Sequence, residues 1–301
     1  MDGSCNGLQH LGAMFKDEVG GKSVNLTNNT KKGDIYMDVA DETIRLLKKM
    51  DDPLASKILE FGITRKAVKR PVMIVPYAGT SRACKEYIKA EIVEHDALEF
   101  FGDDFKDALT LYSNTVWTSI GHIILKGREA MEYLGKLARA IIKVSNSKDI
   151  KWTTPNGFLV IQRKTKNNYV RIATPMGDTI NIKRKIYTKL DVPTSKTNAS
   201  KHKSSIAPNL VHSLDACHLQ NTVNAMSEGT SFAMIHDSYG THASSSRELF
   251  NVLRREFVKI YQDGDIIDKF LLQQPEVEVE GKPELGTLDL SEVLKSEHFF
   301  S

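Results

Sequence analysis

The stretch Ser231-Phe232-Ala233-Met234-Ile235-His236-Asp237-Ser238-Tyr239-Gly240 decides how the chain is read. A short apolar run climbs to a single carboxylate and falls away through small and polar residues. A strand here would place Phe232, Met234 and His236 on one face and Ala233, Ile235 and Asp237 on the other. Asp237 and Ser238 then fall at a tight turn, where a solvated carboxylate can take a hard metal ion through oxygen. Taken alone, the pattern also describes an aspartate that merely opens a turn between two core strands, which is the commoner case.

The other end of the chain bears on that choice. It opens Asp2-Gly3-Ser4-Cys5-Asn6-Gly7-Leu8-Gln9-His10, a carboxylate and a small-residue turn leading into a helix. Between the two ends, Thr64 is an N-cap for a helix carrying Arg65, Lys69, Met73 and Tyr77 at intervals of four. That spacing puts two cations and a phenol on one slowly twisting stripe. Such a stripe suits a nucleotide wall, with cations for a triphosphate and a ring for base and sugar; a solvated basic helix with Tyr77 in the core fits the spacing as well. Pro71 and Pro76 each remove an N–H and crowd the preceding turn, which predicts a bent or shortened helix.

Taken together, these residues resemble the bacteriophage-type single-subunit RNA polymerases, the phage and mitochondrial enzymes. The resemblance is carried by Asp2 to His10, Val19 to Leu26, Asp34-Ile35-Tyr36, Phe61 to Tyr77, Trp152 to Gly157, Ala207 to Leu219, His236 to Gly240 and the final Phe299-Phe300-Ser301. Ala78 departs from it, standing where that family usually has glycine. The resemblance implies a mixed α/β, helix-rich fold, a right-hand palm and fingers with a small antiparallel palm sheet holding Asp237. Residues 1–35 would start the palm, 36–150 form a fingers-like helical region and 151–206 carry strand hairpins, including a basic hairpin that reads the promoter. Residues 207–301 would hold a palm helix, the catalytic strand and turn, and the C-terminal helices.

The implied activity is template-directed RNA synthesis from ribonucleoside triphosphates on a DNA template. Two Mg2+ ions would be held by Asp2 and Asp237, with the Gly3 carbonyl as an extra ligand; magnesium's preference for oxygen and retained water fits so sparse a set. Arg65 and Lys69 would grip the triphosphate, since arginine forks to phosphate oxygens and lysine supplies a point charge. Tyr77 and His212 would line the sugar and the forming base pair. Tyr36 and His236 resemble further site residues. The implied partners are DNA template and promoter, the RNA product and the ribonucleotides.

The bulk numbers set few limits. The 301 residues can bury a substantial core, and the net charge of +3 does not announce a polyanion binder. Its distribution does: from Arg163 to Lys203 the chain is strongly basic, with acids only at Asp178 and Asp191. Val170-Arg171-Ile172 and Thr179-Ile180-Asn181-Ile182 flank Met176-Gly177-Asp178, which reads as a cationic hairpin able to enter a DNA groove; a solvated charged loop is the plainer alternative. Cys5, Cys84 and Cys217 are far apart and lack metal-site spacing, which predicts reduced thiols. With no signal pattern before Asp2, the expected location is the cytoplasm, that of an infected host cell if the gene is a phage's.

The rest of the chain reads as follows. Residues 19–33 form a loop. Asp34 caps a helix through Ile35, Val39, Ile44 and Leu47, which Asp51-Asp52-Pro53 ends, and a second helix runs from Ala55 to Phe61. Residues 82–145 are mainly helical, with Phe105, Leu109, Tyr112, Val116 and Ile120 as a core stripe. Two strands flank Pro155-Asn156-Gly157. A helix begins near Ala207-Pro208 and carries His212, with Asp215 and His218 as structural residues. Two more helices, Ser246 to Tyr261 and Asp265 to Gln273, precede an acidic tail that wraps back toward the site.

The family's N-terminal region, thumb and first palm strand all lie upstream of Asp2, so a second polypeptide supplying them is expected. Alternatives are a non-catalytic DNA-binding fragment or assembly subunit of a split or broken polymerase, and an A-type DNA polymerase. The last fits Ser238 poorly, because the DNA enzymes typically carry an acidic residue there.

Overall fold

The computed structural model describes residues 1–145, 148–174 and 186–300. Helices dominate: α1 (Asn6–Met14), α2 (Glu18–Ser23), α3 (Ile35–Leu47), α4 (Pro53–Phe61), α5 (Arg65–Met73), α6 (Ser81–Val93), α7 (Ala97–Phe101), α8 (Phe105–Ile123) and α9 (Leu125–Ser145). Among the described residues, three antiparallel strand pairs follow: β1 (Asp149–Thr153) with β2 (Leu159–Arg163), β3 (Thr165–Thr174) with β4 (Ile186–Thr197), and β5 (Phe232–Ile235) with β6 (Ser238–Thr241). Helix α10 (Ala199–Ala225) lies between the second and third, and α11 (Ser246–Gln262) and α12 (Ile266–Leu272) close the helical set. The mixed, helix-rich fold with small antiparallel sheets is the one expected.

Local chemistry explains most boundaries. The Asp34 carboxylate accepts from the Tyr36 and Met37 amides and starts α3. Asp52 caps α4, whose first residue is Pro53, and Gly62 ends it at φ 97°. Thr64 Oγ1 accepts from the Ala67 amide and starts α5. As the two prolines require, α5 stops at Met73; Val75-Pro76-Tyr77 forms a 3-10 turn closed by Ala78 in the left-handed region at φ 58°. The stripe Leu109, Tyr112, Val116 and Ile120 is buried.

Several expectations are corrected. Residues 19–33 are not all loop: Asp17 caps α2 by accepting from the Gly20 amide, and Gly20 and Gly21 are buried inside it. A side chain at Gly21 would sit 3.1 Å from Leu288 Cδ2, so the glycine signals close packing rather than a turn. Helix α10 starts at Ala199, capped by Asn198, with Pro208 in its interior. The basic hairpin is longer than read: Thr174 pairs with Ile186, and the return strand is β4. The expected tip, Met176 to Asp178, and the expected return strand, Thr179 to Ile182, lie outside the described residues. The segment Met1–Gly3 is tied down within the chain: Asp2 bridges Ser238, Gly3 bridges Phe300, and Met1 and Tyr239 exchange hydrogen bonds of 2.9 and 2.8 Å.

One apolar core runs from Leu8 and Leu11 of α1 to Phe299 and Phe300. The fully buried Arg254 fastens that end, its guanidinium donating to the carbonyls of Ser296, Glu297 and Phe250, and burial pushes it down to about 10. His218 lies fully buried among Phe257, Phe299, Phe300 and Tyr239, with Nε2 2.8 Å from the Leu253 carbonyl, which matches its structural reading.

Candidate active site

The β5–β6 hairpin is a carboxylate mount. Ile235 pairs with Ser238, so His236 and Asp237 form a two-residue loop. Phe232 and Met234 are half-buried and Ala233 and Ile235 exposed, the alternation expected of the strand. His236 does not continue it: at φ 54° it turns the chain in the left-handed region, which costs a non-glycine residue about 1–2 kcal/mol. That turn leaves His236 exposed and delivers Asp237 half-buried into a cavity of about 410 Å³.

Four separated segments converge on this cavity. Asp2 and Gly3 come from the strand beside β6, and the Ser238 hydroxyl donates to Asp2 Oδ1 at 3.1 Å. Tyr36 comes from the first turn of α3, Arg65 and Lys69 from α5, and Tyr77 from the 3-10 turn. Tyr77 is 40% exposed, so it faces the cavity instead of the core. His212 of α10 meets the Tyr77 ring edge-on at 4.8 Å between centroids. Thus Asp2, Gly3, Tyr36, Arg65, Lys69, Tyr77 and Asp237 line one space with His212 behind the ring, while His236 stays outside it.

Electrostatics divides the cavity into two ends. At the carboxylate end, burial raises the Asp237 carboxyl above its ordinary range, and the negative charges of Asp2 and Asp215 raise it further. At the other end, the Arg65 guanidinium donates to Asp34 Oδ2 at 2.6 Å and lies 4.8 Å from the Tyr36 ring centre, with Lys69 Nζ at 6.0 Å from the same ring. Burial pushes the Tyr77 phenol up to about 12, so it stays protonated and able to donate.

The sequence missed several lining residues. Asp34 reads as a helix cap and is one, but only Oδ1 serves the amides; Oδ2 holds Arg65. Cys5, at φ 133°, hydrogen-bonds Tyr36, and burial pushes its thiol up to about 11. Asn6 donates to Asp215 at 2.7 Å. Gly7 has a visible cause: a Cβ there would lie 2.8 Å from Pro76 Cγ and 3.0 Å from Tyr77 Oη.

Among the described residues no three His, Cys, Asp or Glu side chains cluster as a metal site. The half-buried Asp237 carboxyl, raised by burial and by the negative charge of Asp2 beside it, fits a hard cation that keeps most of its water, because such a cation relieves that repulsion. No helix among the described residues is long and apolar enough to cross a membrane.

The family model described as DNA-dependent RNA polymerase matches residues 1–274. The chain is 34% identical over its whole length to the mitochondrial DNA-directed RNA polymerase 1 of Nicotiana sylvestris, of which it spans 30%. It is 31% identical to DNA-directed RNA polymerase 2A of Nicotiana tabacum, spanning 90% of that protein. It is also 31% identical to the DNA-directed RNA polymerase of Enterobacteria phage K11, spanning 38% of it. The carboxylate turn, the cationic helix and the aromatic pair thus lie within the matched residues, and the chain belongs to the DNA-dependent RNA polymerase family that includes phage, mitochondrial and chloroplast enzymes.

Proposed function

We propose that this chain carries the catalytic centre of a DNA-directed RNA polymerase. The observation that supports it most is the convergence of Asp2 and Asp237 at one end of a cavity whose other end holds Arg65 and Lys69. Nucleotidyl transfer asks the protein for positioned charge rather than covalent chemistry. Asp2 and Asp237, with the Gly3 carbonyl, would hold two magnesium ions. Bound there, the ions would make the attacking 3′-oxygen a better nucleophile and neutralise the triphosphate.

Arg65 would leave Asp34 for phosphate, a bidentate exchange at a half-exposed side chain. Lys69 would add a point charge one turn later. Tyr77 keeps its proton and would donate to the ribose or line the base pair, its ring braced by His212. His236 would act through the turn geometry it imposes on Asp237. The substrates would be ribonucleoside triphosphates, the template DNA and the product RNA. Residues 1–35 and 207–301 would form the palm, 36–150 the fingers and 151–206 the hairpins.

The described part of the β3–β4 hairpin supports a role in promoter reading. Arg171 sits directly across from Lys189, a like-charge pair that repels unless an anion lies between. A second polypeptide is the remaining proposed partner. The outer edge of β5 has no neighbouring strand among the described residues, and Ile235 beside it is 69% exposed. The proposed setting is the cytoplasm of a host cell; the buried free thiols of Cys5, Cys84 and Cys217 suit its reducing conditions.

Magnesium-dependent nucleotide binding tests the assignment. Titrating ATP and dATP into the chain, with Mg2+ or EDTA, is expected to give Mg2+-dependent binding that favours ATP and is lost in Asp237→Asn. Binding of DNA without any Mg2+-dependent ATP binding would instead favour a non-catalytic DNA-binding subunit, and a preference for dATP would favour a DNA polymerase.

A further inference from the structure

Helix α1 enters the site without a cap of its own. Its first turn carries no acid, and Cys5 before it, at φ 133°, makes no side-chain cap bond. A carboxylate for that first turn comes from another helix. The Asn6 amide, at the first residue of α1, donates to Asp215 Oδ1 of α10 at 2.7 Å. One turn on, His10 Nε2 stands 3.8 Å from the same oxygen, and among the described residues it has no hydrogen-bond partner.

The surroundings of His10 aim that nitrogen. The ring is fully buried against Phe257 and His218, with Nδ1 2.5 Å from the Tyr261 hydroxyl of α11. Burial pushes the Tyr261 phenol well above its ordinary range, so it keeps its proton and donates to Nδ1. In the neutral ring the remaining proton then lies on Nε2, facing Asp215. Burial alone would raise the Asp215 carboxyl, yet His10 and Asn6 hold it below its ordinary range, so it stays charged. Helix α10 thus grips α1 with one anion set against two buried side chains.

The residues on either side of this clamp are those of the site. Asp2 and Gly3 lead into α1 through Ser4 and Cys5. Gly7, next to Asn6, lies against Tyr77, since a Cβ there would be 3.0 Å from Tyr77 Oη. On α10, His212 stands one turn before Asp215 and meets the Tyr77 ring. Asp215 itself is not among the residues lining the cavity of Asp2 and Asp237, so it acts through these neighbours rather than on a nucleotide.

We propose that Asp215 is a positioning residue: by gripping Asn6 and His10 it fixes α1 against α10, and so holds Asp2 and Gly3 in place across from Asp237 and closes the slot around the Tyr77 hydroxyl. What it positions rests on the polymerase reading above; the clamp rests on its own hydrogen bonds.

Exchanging the partners tests this. Asn6→Asp sets two carboxylates face to face and is expected to weaken Mg2+-dependent ATP binding by about tenfold or more. Asn6→Asp/Asp215→Asn rebuilds the bond with donor and acceptor exchanged, and is expected to return the affinity to within about threefold of the parent's. Leu214→Ala, on the apolar face of α10, controls for lost stability: it is expected to lower Tm at least as much as Asn6→Asp and to keep ATP binding. Cys5 gives a readout free of nucleotide, because its buried thiol lies between Gly3 and Asn6. Asp215→Ala is expected to speed Cys5 alkylation by iodoacetamide, read by peptide mass spectrometry, by about tenfold relative to the buried Cys84. The exchange variant is expected to react no faster than the parent. Should Asp215→Ala not fold, Asn6→Asp and the exchange variant carry the test. Folded Asn6→Asp that binds ATP within about twofold of the parent overturns the proposal, as does an exchange variant that regains Tm but not affinity, or a Cys5 rate unchanged by Asp215→Ala. The polymerase reading fails separately: a parent chain without Mg2+-dependent ATP binding refutes that reading, and the Cys5 rate still decides the clamp.

Discussion

Helix α10 serves two cavities of similar size that differ in nearly everything else. Leu210, Ser213 and Leu214 line a space of about 330 Å³ with Trp152, Ile266 and Phe270, and the Trp152 indole donates to Ser213 at 3.0 Å. His212 and Asp215, on another face of the helix, turn toward the cavity of Asp2 and Asp237. The first space is walled mainly by apolar side chains from β1, α10 and α12. The second gathers carboxylates, cations and phenols from four distant segments, with left-handed backbone at Cys5, Ala78 and His236. Convergence of charge from distant segments, held by strained backbone, distinguishes a site from a packing space.

The contrast can be broken first at the apolar side. Leu214→Ala is expected to cost about 2–5 kcal/mol of stability, read from denaturant melts, while Mg2+-dependent nucleotide binding by the folded protein is kept. Equal losses in both would mean the two faces of α10 are one functional unit.

Acid attacks the helix from its buried end. Burial pushes the His218 imidazole down to about 4 from 6.5, so between those values the unfolded chain takes up a proton that the folded chain refuses. Stability present above pH 6.5 is therefore lost as pH falls toward 4, by an amount on the order of 3 kcal/mol. His218→Gln is expected to flatten the pH dependence of Tm across that window; an unchanged profile would assign the acid sensitivity elsewhere.

On the polar side, Arg65→Ala is expected to weaken nucleotide binding by about 2 kcal/mol, some thirtyfold, with little change in Tm. An ATP affinity within twofold of the parent's would remove Arg65 from the triphosphate role. Thr64→Ala removes only the cap of α5 and is expected to cost about 1 kcal/mol of stability. A larger loss in nucleotide binding than in stability would show that the angle of α5 sets the site. Asp237 carries the opposite sign from all of these. Its carboxyl is raised in the fold, so the stability linked to its protonation is present at low pH and lost as pH rises through the folded value. Asp237→Asn is expected to raise Tm near neutral pH, and a lowered Tm would mean the carboxylate is a structural anchor.

Much of this contrast was legible in the residues. The period-two run leading up to Asp237 marked a strand with one carboxylate at its turn, and Asp34, Asp52 and Thr64 marked their helices because a cap needs only its local amides. The prolines foretold the short α5, and what they did not foretell is that Tyr77 still reaches the cavity from the 3-10 turn. Long-range causes stayed hidden. Gly20-Gly21 looked like a loop because Leu288, which needs the bare backbone of Gly21, lies far along the chain. The pairing of Met1–Gly3 with Tyr239 and Phe300 depends on partners from the other end, and the second oxygen of Asp34 shows its use only once Arg65 is beside it. Pro208 suggested a helix start, but the Asn198 cap and packing of α10 on α9 carry the helix through it.

The most direct measurement is RNA synthesis on a primed DNA template with Mg2+ and ribonucleoside triphosphates, by the chain alone and with a polypeptide supplying the proposed missing palm and thumb. Asp237→Asn and Asp2→Asn are the controls. Primer extension that depends on Mg2+ and falls by about 10³-fold or more in each variant is the expected result. Extension that persists in the variants, or its absence from a folded complex that binds template and ATP, would contradict a two-carboxylate catalytic centre in this chain.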